Sequence, residues 1–100
     1  MPRDQHAGKL SFLRVHDVGT GWGPSGAEHL DVEVVVIFRN DPVSDRAFGF
    51  KLRVDNQRAA HQGMLDLLRD AFTNDFSVTI EYDHGQNVKN GEIMRVALTK

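Results

Sequence analysis

Five histidines, His6, His16, His29, His61 and His84, are the side chains best suited to chemistry in this sequence. An imidazole that titrates near neutrality serves proton transfer or metal ligation. Their spacing supports neither role. No two of them form an H-E-x-x-H helical pair, and the chain has no cysteine to complete a zinc site. His16 and Asp17 are neighbours, but neighbours on a strand point to opposite faces. His84 beside Asp83 could do acid/base work only opposite a nucleophile, and no G-x-S-x-G is present. The histidines are therefore expected on solvated surface. No catalytic residue, metal ligand or cofactor is assigned, and the chain is read as a non-enzyme. The segment Gly21-Trp22-Gly23-Pro24-Ser25-Gly26 spells G-x-G-x-x-G. In dinucleotide-binding folds that motif opens a helix after a strand, whereas here the next element reads as a strand. A flexible loop is the expectation.

The chain has 100 residues, 40% of them hydrophobic and 26% charged, enough for one domain over 1–100 with residues 1–8 as a flexible tail. Twelve Lys and Arg against 14 Asp and Glu give a net charge of −2, which disfavours binding nucleic acid through bulk charge. The absence of cysteine excludes disulfides and a thiol nucleophile. No long apolar run or signal-peptide pattern is present, so the expected location is cytoplasmic, away from membranes.

The elements that would position any site follow from periodicity. Val32, Val34, Val36 and Phe38 alternate with polar or outward positions. Phe48, Phe50, Leu52 and Val54 do the same, as do Phe76, Val78, Ile80 and Tyr82. A period of two marks antiparallel strands with one buried face. Met94, Val96 and Leu98 form the last run. In the first, Leu10 and Phe12 share one parity and Leu13 and Val15 the other, which predicts a bulge. Ala60, Met64, Leu67, Leu68 and Ala71 trace one stripe of a helix, with Asp55 or Asn56 at its start and Asn74 and Asp75 at its stop. Gly63 inside it suggests a close approach to a strand. A long glycine-rich loop covers 19–30, a short polar turn with Pro42 covers 40–46, and a polar loop covers 83–91, closing on the turn-favouring Asn90-Gly91.

The resulting order, β-β-β-α-β-β, predicts a mainly β fold: an OB-like, five-stranded Greek-key barrel with its helix between the third and fourth strands. A β-rich α+β sheet with one packed helix is the alternative. Residues 62–98 resemble the C-terminal half of the B subunits of bacterial AB5-type toxins, where a helix leads into a V-x-I-x-Y strand (here Val78, Ile80 and Tyr82), a loop and a last strand. The resemblance implies the fold. Those subunits are secreted and often disulfide-bonded, and no receptor contact is carried over.

On an OB barrel, two rim loops flank the binding face. The first carries Trp22, the second His84, Gln86, Asn87, Lys89 and Asn90. A flat aromatic with amide donors and acceptors suits a polar small molecule such as a glycan. The alternative for Trp22 is a lid folded over the barrel mouth. A single-stranded nucleic-acid face would use Arg39, Lys51 and Arg53, opposed by Asp31 and Glu33 and lacking outward aromatics. A third function class is homo-oligomer assembly through an outward patch of Val35, Ile37, Ala47 and Gly49. The same four residues could instead pack beneath the N-terminal segment or the long loop.

Overall fold

The computed structural model describes residues 4–23, 29–43, 46–83 and 89–99. Its elements are β1 (Asp4–Gly8), β2 (Leu10–Val15), β3 (Val34–Phe38), β4 (Phe48–Phe50), α1 (Arg58–Asn74), β5 (Ser77–Asp83) and β6 (Gly91–Thr99). The strands form one six-stranded sheet in the order β1-β5-β6-β4-β3-β2. All pairs are antiparallel except β4 with β6. The fold is therefore mainly β with a single helix among the described residues. The described residues form six strands where five were expected, and the order ends at β1 and β2.

The sixth strand comes from the expected tail. Asp4–Gly8 pairs along β5, from Asp4 opposite Tyr82 to Gly8 opposite Val78. Its sequence, DQHAG, has no apolar alternation, so a pairing carried by backbone groups left no trace in the pattern.

The predicted bulge is present. Leu10 faces Phe38 and Phe12 faces Ile37, which leaves Ser11 as the extra residue. Leu10 and Leu13 then both reach the main core, while Phe12 turns to the opposite face. A second irregularity was not expected. Glu81 faces Arg95 but Tyr82 faces Ile93, so Met94 is the extra residue and is 45% exposed. Ile93 takes the core position in its place, with Val96 and Leu98 packing behind.

Two further parity expectations fail. Pairing of β4 ends at Phe50, and Val54, beyond it, is 95% exposed. Phe76 is 44% exposed because its N–H closes the end of α1 on the Ala71 carbonyl, at 3.0 Å, before β5 begins.

Helix α1 buries Leu68 and Ala71 against the strands, with Met64 and Leu65 beside them, and leaves Ala60 in solvent. Its start has no side-chain cap; Asp55 instead accepts the Gln57 N–H at 2.9 Å one turn earlier. It stops at Asp75, which is left-handed at φ 60 and ψ 36. The Asp75 carboxylate takes Lys9 at 3.2 Å and Arg39 at 2.6 Å. That ties the helix end to the residue between β1 and β2 and to the residue after β3.

The expected assembly patch lies inside the molecule. Val35 and Ala47 are buried in a second apolar cluster with Leu30 and Val32, and Phe12, Trp22 and Ile37 pack over it. Val32 also belongs to this cluster and not to the row of Val34 and Val36. Gly49 does allow a close approach, but the approaching group is internal. A Cβ there would stand 2.5 Å from the Val34 carbonyl and 2.6 Å from Val32 Cγ2. Gly63, in contrast, has open space around it and approaches no strand.

These two glycines should respond oppositely to a methyl group. Gly63→Ala gains helix propensity and should raise unfolding free energy by about 0.5–1 kcal/mol. Gly49→Ala should lower it by about 1–3 kcal/mol through overpacking. Urea unfolding of both variants checks this, and equal effects would contradict the packing described.

Candidate functional site

The long loop after β2 folds back over the outer face of β3. Gly21, at φ 68, lies where a side chain would run into the His29 ring and the Leu30 carbonyl. Next to it, Trp22 and Leu30 exchange both backbone hydrogen bonds at 2.9 Å, forming an isolated antiparallel bridge. The His29 Nδ1–H donates to the Gly23 carbonyl at 3.1 Å. Trp22 is thus anchored through its backbone. Its ring is half-buried on the second cluster, 5.7 Å from the Phe12 ring at an interplanar angle of 50°. Phe12 is available there only because the Ser11 bulge turned it outward.

Ala47 connects this platform to the other rim loop. Its side chain belongs to the cluster beneath Trp22, and its N–H is held by Asn90 Oδ1 at 2.9 Å. The Gly91 N–H bonds to the Ala47 carbonyl at 3.1 Å, which continues the link from β4 to β6. Asn90 is only 2% exposed, so its amide serves the sheet and not a ligand. Asn90-Gly91 opens β6 instead of making a tight turn. Lys89 is half-buried beside it, and His84, Gln86 and Asn87 lie outside the described residues. The structure therefore brings Trp22 and the end of the second loop around β4.

His6, His16 and His61 are half-buried, whereas His29 is exposed as expected and His84 lies outside the described residues. A carbonyl only accepts, so His16 must donate from Nε2 to Val32 O, at 2.6 Å, and His61 from Nδ1 to Lys51 O. His6 packs between Phe38 and Phe48. Among the described residues, no three His, Asp or Glu side chains converge in a metal-holding group. No helix there is long and apolar enough to cross a membrane.

Two of the three candidate nucleic-acid cations, Arg53 and Arg39, are paired with carboxylates of the same chain. Arg53 makes a two-pronged contact with Glu33, Nε to Oε1 at 2.9 Å and Nη2 to Oε2 at 2.7 Å, and reaches Asp31 at 2.7 Å. Glu33 is buried and also accepts the Leu52 N–H at 2.9 Å. Burial alone would push its carboxyl up, but the hydrogen bonds from Arg53 and Leu52 and the Arg53 charge hold it below the ordinary range. Hydrogen bonding to Arg53 likewise lowers Asp31, and the two carboxylates raise Arg53 in return. Arg39 pairs with Asp75. Lys51 is half-buried, with its carbonyl accepting from His61. No family model matches the chain, and no curated protein or solved structure matches it either.

Periodicity missed a second ion pair entirely. Within the short turn after β3, Asp41 accepts from Arg46 Nε at 2.9 Å and Nη2 at 2.8 Å, and from the Val43 N–H at 2.9 Å. The only sequence signal was an Asp and an Arg five residues apart around Pro42.

The lowered Glu33 carboxyl fixes the sign of an acid dependence. The folded chain binds this proton less readily than the unfolded one, so the stabilisation is complete above the ordinary value of 4.5 and is lost as pH falls below it. Thermal unfolding between pH 7 and pH 3 should show this loss, and Glu33→Gln should make the decline shallower. An unchanged slope in the variant would contradict the pairing.

Proposed function

We propose that this chain is a non-enzymatic binding module that receives a flat, polar ligand of the carbohydrate class on Trp22 and Phe12. The observation that carries the reading is Trp22 itself, its ring half-buried on the apolar cluster and its backbone held by two hydrogen bonds to Leu30. A fixed aromatic face stacks on a sugar ring with little loss of side-chain freedom. The rigid apolar cluster below it supports that face, and Ala47 of the cluster is held by Asn90 at the end of the second loop.

The same reading takes the sheet as an OB-type barrel. Its support is covalent: β1 and β2, at the two ends of the strand order, are separated only by Lys9. Consecutive Cα atoms lie about 3.8 Å apart, so this one-residue connection holds the adjoining ends of β1 and β2 together and supports a curled, barrel-like reading of the sheet. The parallel β4–β6 pair and the helix between β4 and β5 fit this topology. In it, the loop after β2 is a rim loop, which is where ligands bind.

Single-stranded nucleic acid is the weaker reading, because Arg53 and Arg39 are already paired with carboxylates. Assembly through Val35 and Ala47 has lost its surface.

Trp22 is the sole tryptophan, so its fluorescence reports this site alone. Titration with a panel of neutral mono- and oligosaccharides should give a saturable change for at least one class. Trp22→Ala should keep the fold and weaken that ligand about tenfold or more, measured by calorimetry. Silence across the panel, or binding that survives Trp22→Ala, overturns the assignment.

A further inference from the structure

The N-terminal strand is held to the rest of the sheet by a histidine in an unusual setting. The His6 side chain is 17% exposed and stands on the core-facing side of β1. Its ring stacks on Phe48 at 5.4 Å and meets the edge of Phe38 at 4.6 Å. Arg46 Nη2 lies 3.3 Å from Nδ1. A guanidinium only donates, so Nδ1 must be the lone-pair nitrogen and the proton of the neutral ring sits on Nε2. Nε2 lies 3.9 Å from Asp41 Oδ2, whose two oxygens are already occupied by Arg46.

Charged groups reach this ring from few of the elements packed on it. The 39–46 segment contributes Asp41 and Arg46, and the Arg46 guanidinium also lies over the Phe48 ring at 5.2 Å. β3 offers Phe38 and β4 offers Phe48. From β5, Ile80 stands opposite His6 and the Tyr82 phenol shares that face, with Asp4 opposite Tyr82 on β1 itself. One cation and one committed carboxylate are thus the charges against the ring.

We propose that His6 is a proton-operated latch on β1, closed when its ring is neutral and opened when Nδ1 takes up a proton. Protonation at Nδ1 removes the acceptor that Arg46 uses and places a second cation against it. The charged ring must also be desolvated between two phenylalanines. Asp41, 3.9 Å away, opposes these effects and is the largest influence on the ring after burial. Burial first, then Arg46, outweigh Asp41, and the imidazole is held below its ordinary value of 6.5. A base lowered in this way contributes attachment that is complete above pH 6.5 and fades as pH falls through it. Detachment of β1 would uncover the outer edge of β5, a row of backbone groups ready for another strand. The buried Asp41–Arg46 pair remains on the sheet side and is not displaced by this motion.

Residue-resolved amide exchange at pH 7.5 and pH 5.0, expressed as protection factors, tests the latch on the intact chain. Protection over residues 4–8 should fall several-fold at pH 5.0 while β6 keeps its own. The fall is bounded at about thirtyfold, the proton-binding ratio of an unhindered histidine of pKa 6.5 at that pH. The carboxylates held low by Arg53 and Arg46 stay ionised across this window. His6→Asn keeps an acceptor near the Nδ1 position but cannot titrate, so its protection ratio between the two pH values should be close to one. If that variant fails to fold, the wild-type NMR titration decides. The His6 ring should be an Nε2–H tautomer at pH 7.5, and β1 protection should begin to fall near pH 6.5 and level off below the midpoint of the ring. A His6 midpoint at or above 6.5 overturns the proposal, as does β1 protection that is unchanged or increased in acid.

Discussion

A single residue, Lys9, separates two strands that occupy opposite ends of the sheet order, and most of the structure follows from that covalent limit. The end paired to β5 and the end paired to β3 cannot drift apart by more than the reach of one residue. The chain reinforces the junction where it turns. The Lys9 carbonyl accepts the Arg39 N–H at 2.8 Å, and both side chains converge on Asp75 at the end of α1. Exposed ion pairs of this kind contribute little individually. Their value here is positional, because they register the helix stop against both ends of the sheet.

The same turn has a consequence for the outer face of β3. Past Lys9, the Ser11 bulge sends Leu10 and Leu13 to the core and Phe12 outward. Val35, on the face away from that core, is therefore covered as completely as Val34 and Val36. A sheet covered on both faces leaves little apolar surface for assembly around β3, and it gives Trp22 a rigid floor. The charged residues on the neighbouring segment are drawn into the same closure. Glu33 could be buried only with Arg53 to accompany it, and that pairing removes a cation from the surface.

Much of this was legible in the sequence where one rule governed a segment. Val78, Ile80 and Tyr82 obey a strict period of two and are all buried. The Leu10–Val15 parity change correctly announced its bulge. Leu68 and Ala71 lie on the predicted helix stripe. Legibility ended where backbone or charge decided instead. Nothing in DQHAG signals a strand, because its pairing rests on main-chain groups and one histidine. Met94 kept the right hydropathy and parity, but an extra residue in β6 gave its place to Ile93. Val54 and Phe76 sat in good alternation outside the span of actual pairing. Of the site, Trp22 was visible as a lone aromatic among glycines, whereas the commitment of Asn90 to Ala47 depends on two segments 43 residues apart.

A ligand face at Trp22 requires the indole to be fixed upon the sheet rather than carried by a free loop. A nuclear Overhauser spectrum of the unliganded protein addresses this directly. Contacts from the Trp22 indole to the Phe12 ring, together with slowly exchanging Trp22 and Leu30 amides, are the predicted result. An indole without contacts to the cluster, next to fast-exchanging amides at both positions, would contradict it.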